Sequence, residues 1–387
     1  MYFLSSILRV GSSFALGLAI LSAASAQSFD TSAKQAFVVD QQTGTLLFTK
    51  DADKLFPPAS LAKMMTMEVV FHAIKSGRLS FDDEFRVSEN AWRTGGAPSR
   101  TSTMFAELGS SIRLEDLIQG VIVQSANDGC IIIAEGMAGS EEGFVQLMNE
   151  RAREIGLSRS VFRNSTGLPA EGQFVTAREL VQLANHLWRE YPEFYKYYSQ
   201  REFTWNKILQ RNRNPLLAMD IGADGLKTGF TEESGYAIVG SAERDGRRVF
   251  LALSGMESDR QRADEARKVL DWSMRAFERQ EIFAAGEIVG EAKTYGGEKG
   301  AVGLRAQGPV GVLIPSANRD RLIARIVYDG PVLAPVEEGA PIGKLRVWVG
   351  ETLTQETPLF AAESVGVGAI HQRALDAVEE LAIGWLR

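Results

Sequence analysis

The apolar positions change their spacing several times along the chain, and each change predicts an element. Short apolar runs at 36–40 and 45–48 flank Gln41-Gln42-Thr43-Gly44, a strand, a Gly-containing turn and a strand. Next, Leu61, Met64, Met65, Met67, Val69, Val70, Phe71 and Ile74 point in nearly every direction of a helix over 61–74, which predicts burial all round. Gly77 ends that helix, and after Asp82 the chain reads as a polar surface or rim loop through Gly95-Gly96-Ala97-Pro98-Ser99-Arg100. A helical pattern through Leu114, Leu117, Ile118 and Val121 stops at Gln124-Ser125-Ala126-Asn127-Asp128, and apolar helix resumes at Ile131. Further helices are predicted at 141–155, closed by Gly156, and at 176–188, where Thr176 and Glu179 have capping-box spacing.

Strand patterns return at 223–230, 235–242 and 249–255, with an Asp245-Gly246 turn before the last. A helix over 260–279, carrying Val269, Leu270, Trp272 and Phe277, is expected to pack back on them. Strands at both ends of this region with helices between them predict an α+β domain, an antiparallel sheet with helices, over 27–280. Beyond Gln280 the texture turns Gly- and valine-rich, at 310–314, 322–328 and 343–349, which predicts a small all-β domain over 281–365. Residues 366–387 form an amphipathic C-terminal helix, with Ile370, Ala374, Val378, Leu381 and Trp385 on one face and Arg373, Asp376, Glu379 and Glu380 elsewhere. Two readings stay open for it: docking on protein, or peripheral contact with a membrane surface, where the terminal Trp fits and the acidic face does not.

At the other end, Arg9 precedes the apolar run 10–21, and Ala24-Ser25-Ala26 offers a cleavage site before Gln27. The run is short of the roughly 20 residues a span needs, so a signal peptide over 1–26 is expected. Function is then expected after export, in a periplasm or at the outer face of the cytoplasmic membrane. Composition sharpens this picture. The 387 residues, 45% hydrophobic and 24% charged, leave room for two domains and a sizeable core. A net charge of -7 with both signs mixed speaks against nucleic acid and gives no basic patch for anionic lipid. Cys130 is the only cysteine, so no disulfide forms within the chain; it sits in the apolar run 130–134, which predicts a buried structural thiol. His72, His186 and His371 have no metal-ligand spacing, which supports neither a zinc site nor a histidine triad, and no cofactor is called for.

Three short motifs carry chemistry. Ser60-Leu61-Ala62-Lys63 opens the buried helix, so the Lys63 amine is within reach of the Ser60 hydroxyl. A serine needs such a base, and a lysine serves once burial or another cation lowers its pKa. Ser125-Ala126-Asn127 places a hydroxyl and an amide in a turn between helices, where they suit proton transfer and a substrate carbonyl. Lys227-Thr228-Gly229, on a strand, suits a substrate strand with a terminal carboxylate. Each motif alone is weak; their order on suitable elements after an export signal is the informative fact.

With these residues in that order, the chain resembles the penicillin-binding proteins and serine β-lactamases, closest to the low-molecular-mass D-alanyl-D-alanine carboxypeptidases of the type-five penicillin-binding kind. The resemblance takes in Phe56-Pro57-Pro58-Ala59-Ser60, Gly167-Leu168 with Gly172-Gln173, Arg211-Asn212-Arg213-Asn214, and Asp224 through Gly229, and it extends to the β-domain and amphipathic tail. It implies a β-lactamase/transpeptidase-like fold and serine acyl transfer on a peptidoglycan stem peptide ending in D-Ala-D-Ala, with β-lactam antibiotics as covalent inhibitors. In that reading Ser60 is the nucleophile and Lys63 the general base, its pKa lowered by burial and by Lys227. Ser125 relays the proton and Asn127 holds the substrate amide. Lys227 and Thr228 meet the carboxylate with Arg213 and Arg262, Arg260 being the alternative to Arg262. The backbone N–H groups of Ser60 and Phe230 form the oxyanion hole. Phe230 departs from the histidine that members often carry after Lys-Thr-Gly. Competing readings are a β-lactamase, a transpeptidase or endopeptidase, and a non-enzymatic wall-binding scaffold. For the β-lactamase, Glu171 is the carboxylate in the right region, but Gly172-Gln173-Phe174-Val175 follows it where a Glu-x-x-Leu-Asn loop is expected.

Overall fold

The first two apolar runs form the expected hairpin, β1 (Gln35–Asp40) and β2 (Leu46–Lys50), in a computed structural model that describes residues 29–316 and 322–383. The expected signal peptide and Trp385 lie outside the described residues, as does the side chain of Leu381. In the hairpin turn, the Asp40 carboxylate accepts from the Thr43 N–H and hydroxyl, the local bonding that makes Asp a turn former. A 3₁₀ turn, Ala59–Ala62, then runs directly into α1 (Lys63–Lys75), whose residues are almost all buried. A small ribbon, β3 (Glu84–Arg86) and β4 (Ser111–Arg113), precedes α2 (Leu114–Gln119).

Between β3 and β4, the segment expected as a rim loop is instead two short helical turns, Ala91–Gly95 and Ala97–Ser99. The reason is close packing: a Cβ on Gly95 would lie 2.5 Å from the backbone nitrogen of Asp128, so only glycine lets the turn rest on the next helix. That helix, α3 (Asn127–Ala138), starts four residues earlier than the apolar pattern suggests. Its polar first turn is helical because Asn127 N–H donates to Ser102 O at 2.7 Å and the Asp128 carboxylate sits at the positive end of the helix dipole.

α4 (Glu141–Glu154), capped by Ser140, and α5 (Ala177–Glu190), capped by Thr176 as its spacing predicts, follow. A short helix α6 (Pro192–Tyr195) and the ribbon β5 (Glu202–Trp205) with β6 (Ile208–Arg211) lead into the meander β7 (Ala223–Thr231), β8 (Gly235–Arg244) and β9 (Arg247–Met256). These strands join the N-terminal hairpin in one antiparallel sheet of order β2-β1-β9-β8-β7, so β7 is an edge. α7 (Asp259–Arg275) packs on β9 and β8. One core joins Met64, Met65, Val70 and Phe71 of α1, Ile131–Ile133 of α3 and Leu226, Val239 and Phe250 of the sheet. Inside that core Glu68 of α1 is a buried carboxylate, accepting from Arg151 at 2.8 Å and Tyr191 at 2.9 Å and lying 3.2 Å from His186, which gives that histidine its structural role. Cys130 is buried and unpaired, as expected.

α7 ends at Arg275, short of the expected 279, because Phe277 already belongs to β10 (Phe277–Phe283). The last helical residues of the sequence pattern thus pair with β13 (Val310–Pro315) of the next domain. That domain continues with β11 (Ile288–Tyr295), β12 (Ala301–Arg305), β14 (Leu322–Tyr328), β15 (Val332–Leu333), β16 (Pro341–Val349) and β17 (Thr352–Ala361), in a sheet of order β14-β16-β17-β12-β11-β15 over its own core of Val302, Leu304, Val312, Val347 and Leu359. α8 (Ile370–Ile383) follows; its Asp376 accepts from Gly296 N–H at 2.7 Å, while Ile370 and Val378 stay exposed. No helix among the described residues is long and apolar enough to cross a membrane.

Candidate active site

The 3₁₀ turn is what aligns the first motif. Residues three apart eclipse in a 3₁₀ helix, so Ser60 stands directly over Lys63, whose Nζ donates to Ser60 Oγ at 3.0 Å and also to the carbonyl of Thr166. Lys63 is 1% exposed, and burial lowers its pKa from 10.5 to about 8, with the positive charge of Arg213 acting in the same direction. The carboxylates of Asp128 and Glu141 oppose this only in part. Cys130 gives no counter-charge, because burial pushes its thiol up to about 12 and keeps it neutral. Lys63 and Lys227 are two buried cations that repel one another, which disfavours charging both. Burial, then Lys63 and Arg213, hold Lys227 well below the usual lysine range.

Ser125 closes the wide turn Gly120–Gln124 in the left-handed region, at φ 63°, a conformation a serine holds only where its surroundings over-determine it. Its Oγ, Asn127 Oδ1 and Arg262 Nε are buried without a hydrogen-bond partner among the described residues. Ser125 and Arg262 line one cleft, where a polar guest would meet their unpartnered atoms. Asn127 Nδ2 donates to Thr101 Oγ1 at 2.9 Å. The buried Asp128 carboxylate accepts from Thr103 Oγ1 at 2.5 Å, Met104 N–H at 3.0 Å and Ala106 N–H at 3.1 Å, and so ties the 101–106 segment to the start of α3.

The third motif lies on β7, the free edge of the sheet. Gly229 permits its approach: a Cβ there would come within 3.1 Å of both Ala59 Cβ and Leu61 Cγ, so a larger residue would push the strand off the Ser60 turn. Lys227 and Thr228 are buried, and Lys227 Nζ donates to Thr228 O at 3.1 Å. Together these elements enclose a cleft of about 490 Å³, and of the residues singled out from the sequence Ser60, Ser125, Thr228, Gly229, Phe230, Arg213 and Arg262 line it. Lys63, Asn127 and Lys227 are buried. The structure also chooses between the two arginines: Arg262 is buried at the cleft, whereas the Arg260 side chain is 92% exposed and faces Asp264.

Glu171 is exposed and lines a separate cavity of about 420 Å³, with Pro57, Gly167 and Glu233, instead of the Ser60 cleft. Sequence reasoning missed Ser102, Tyr236 and Asp259, which also line the cleft, and the Thr166 carbonyl that holds Lys63. None carries a local signal: a single serine, tyrosine or aspartate in an element looks like any other until the chain closes.

The model of the family described as D-alanyl-D-alanine carboxypeptidase matches residues 22–258. The chain belongs to this family. It is with it a serine peptidase of the penicillin-binding type, and residues 277–367 match the model described as penicillin-binding protein 5, C-terminal domain. Among its relatives, the D-alanyl-D-alanine carboxypeptidase DacC of Escherichia coli (strain K12) is 35% identical over 97% of this chain and 96% of its own length. The solved penicillin binding protein 5 of Haemophilus influenzae superposes with a TM-score of 0.75 at 34% identity, over 87% of this chain and 98% of that one. Penicillin binding protein 6B of Escherichia coli gives 0.67 at 30% identity, over 86% and 96%. The α+β fold followed by an all-β domain agrees with the sequence expectation.

Proposed function

We propose that this member of the family removes the terminal D-alanine from peptidoglycan stem peptides through an acyl-enzyme on Ser60. Neutral Lys63 takes the Ser60 proton as Oγ attacks the carbonyl between the two D-alanines. The oxyanion is held by the Ser60 and Phe230 N–H groups, each such donor being worth about 3 kcal/mol in other enzymes. Ser125 passes a proton to the leaving amine, the C–N bond breaks, D-alanine departs, and water then hydrolyses the ester. Asn127 holds the substrate amide, and Lys227, Thr228, Arg213 and Arg262 receive the terminal carboxylate, a planar anion that guanidinium groups suit. The observation that carries this reading is the 3.0 Å contact between Ser60 and a buried, pKa-lowered Lys63 in a cleft lined by two arginines. A β-lactam acylates the same Oγ, but its leaving amine stays tethered. Glu171 lines a separate cavity, so the carboxylate that a β-lactamase reading would use to speed hydrolysis of the ester is not beside Ser60.

The test is to label purified protein starting at Gln27 with fluorescent penicillin and then to supply diacetyl-Lys-D-Ala-D-Ala. Stable label on Ser60 with release of D-alanine is expected. Label lost within seconds points to a β-lactamase; label without D-alanine points to a transpeptidase or scaffold, and no label sinks the assignment. Action outside the cytoplasm, in the periplasm or at the outer face of the membrane, belongs to the same proposal, as does peripheral contact of 366–387 with a lipid surface. The exposed Ile370 and Val378 support that contact. Loss of vesicle co-sedimentation on truncation at 366 is the expected result; vesicle binding that survives truncation refutes it.

A further inference from the structure

Tyr236 lies on β8 directly opposite Phe230 of β7, and both rings line the cleft. Their centroids are 4.3 Å apart at an interplanar angle of 35°. The guanidinium carbon of Arg262, from the first turn of α7, lies 5.7 Å from the Tyr236 centroid, within the range at which a ring face attracts a cation. Arg262 is 6% exposed, and the only hydrogen-bonded partner of its guanidinium among the described residues is the Asp259 carboxylate. A long, charged side chain with so few polar partners needs another contact to hold one rotamer, and the Tyr236 ring is the group in place. Phe230 is 51% exposed. Its ring has no hydrogen-bonding atom, so what it offers the cleft is its packing on Tyr236.

We propose that Tyr236, backed by Phe230, is a positioning residue for carboxylate recognition: its ring holds the Arg262 guanidinium in the orientation that meets the terminal carboxylate of the substrate. This rests on the reading of Arg262 as a carboxylate ligand. The hydroxyl of Tyr236 is dispensable and the π face is not, so phenylalanine substitutes and leucine does not.

The experiment compares two peptides, diacetyl-Lys-D-Ala-D-Ala and the same peptide with its C-terminus amidated, on wild type, Tyr236→Phe, Tyr236→Leu and Arg262→Ala, with thermal melts as a folding control. For Tyr236→Leu, KM for the free acid rises roughly three- to fivefold with kcat within twofold, and the acid-to-amide ratio of kcat/KM falls by the same factor. Tyr236→Phe keeps the wild-type ratio. If Arg262→Ala lowers the ratio and Tyr236→Leu leaves it unchanged, the positioning role is overturned while the carboxylate reading stands. If Arg262→Ala itself leaves the ratio unchanged, the carboxylate reading fails first and takes the inference with it. Equal losses on both peptides for Tyr236→Leu also overturn the inference, since a merely structural defect has no preference for the charged terminus.

Discussion

Replacing Lys63 by methionine removes the proposed general base and, by the same physics, is expected to stabilise the domain. The lysine is wholly buried and its pKa falls from 10.5 to about 8. At about 1.4 kcal/mol for each tenfold change in proton affinity, holding the charged form at pH 7 costs the fold about 3 kcal/mol. Methionine avoids that cost but leaves the Thr166 carbonyl without its donor, which returns about 1 kcal/mol. The expected net gain is about 2 kcal/mol, a rise of about 5 °C in the melting temperature of the catalytic domain. The sign with pH follows from linkage. Between about 8 and 10.5 the unfolded lysine is still protonated and the folded one is not, so wild-type stability rises with pH through that window. The advantage of Lys63→Met is therefore full below pH 8 and shrinks towards 10.5. In the same protein, acylation by fluorescent penicillin drops by at least about 100-fold, as loss of a positioned base entails. In wild type the acylation rate rises with pH to a plateau above about 8, as the amine becomes neutral. Melts from pH 6 to 10 and stopped-flow acylation test both halves. A variant that melts below wild type at pH 7, or that acylates at the wild-type rate, refutes the account of Lys63 as a buried, destabilising base.

Two further substitutions separate chemistry from architecture. Ser125→Ala deletes a buried hydroxyl that has no partner in the described structure, so acylation should slow by roughly 100-fold while the melting temperature stays within about 2 °C. A large loss of stability there would mean that the hydroxyl serves the fold. Asp128→Ala should do the reverse first: losing the carboxylate that ties Thr103, Met104 and Ala106 to α3 is expected to cost about 3 kcal/mol in urea unfolding with the m-value unchanged. Acylation then slows because Thr101 and Ser102 lose their seat beside Asn127, and a normal rate in the folded variant would argue against that coupling.

How far the sequence reached depends on how local each signal is. Hairpin β1–β2, the capped helices α4 and α5, and the β7–β9 meander were legible because turn residues, caps and apolar period all lie within a few residues of one another. The Ser60–Lys63 pairing was legible for the same reason, since three-residue spacing already implies one face of a helical turn. The boundaries that moved did so through distant contacts. The 91–100 segment coils because Gly95 meets Asp128, α3 starts at Asn127 because Ser102 receives its N–H, and α7 stops at Arg275 because β10 pairs with β13.

The linear order of residues was enough to single out Ser60, Lys63 and the two further motifs as candidates, since each is a local pattern of chemical types. Only the closed chain decides that the motifs face one cleft, that Arg262 and not Arg260 reaches it, that Glu171 stands outside it, and that Tyr236 touches the guanidinium. The physical reason is the same in every case. Proton affinity, burial and ring contacts depend on neighbours brought together through space, and Lys63 acquires a pKa of about 8 only when the surrounding fold excludes water from its amine.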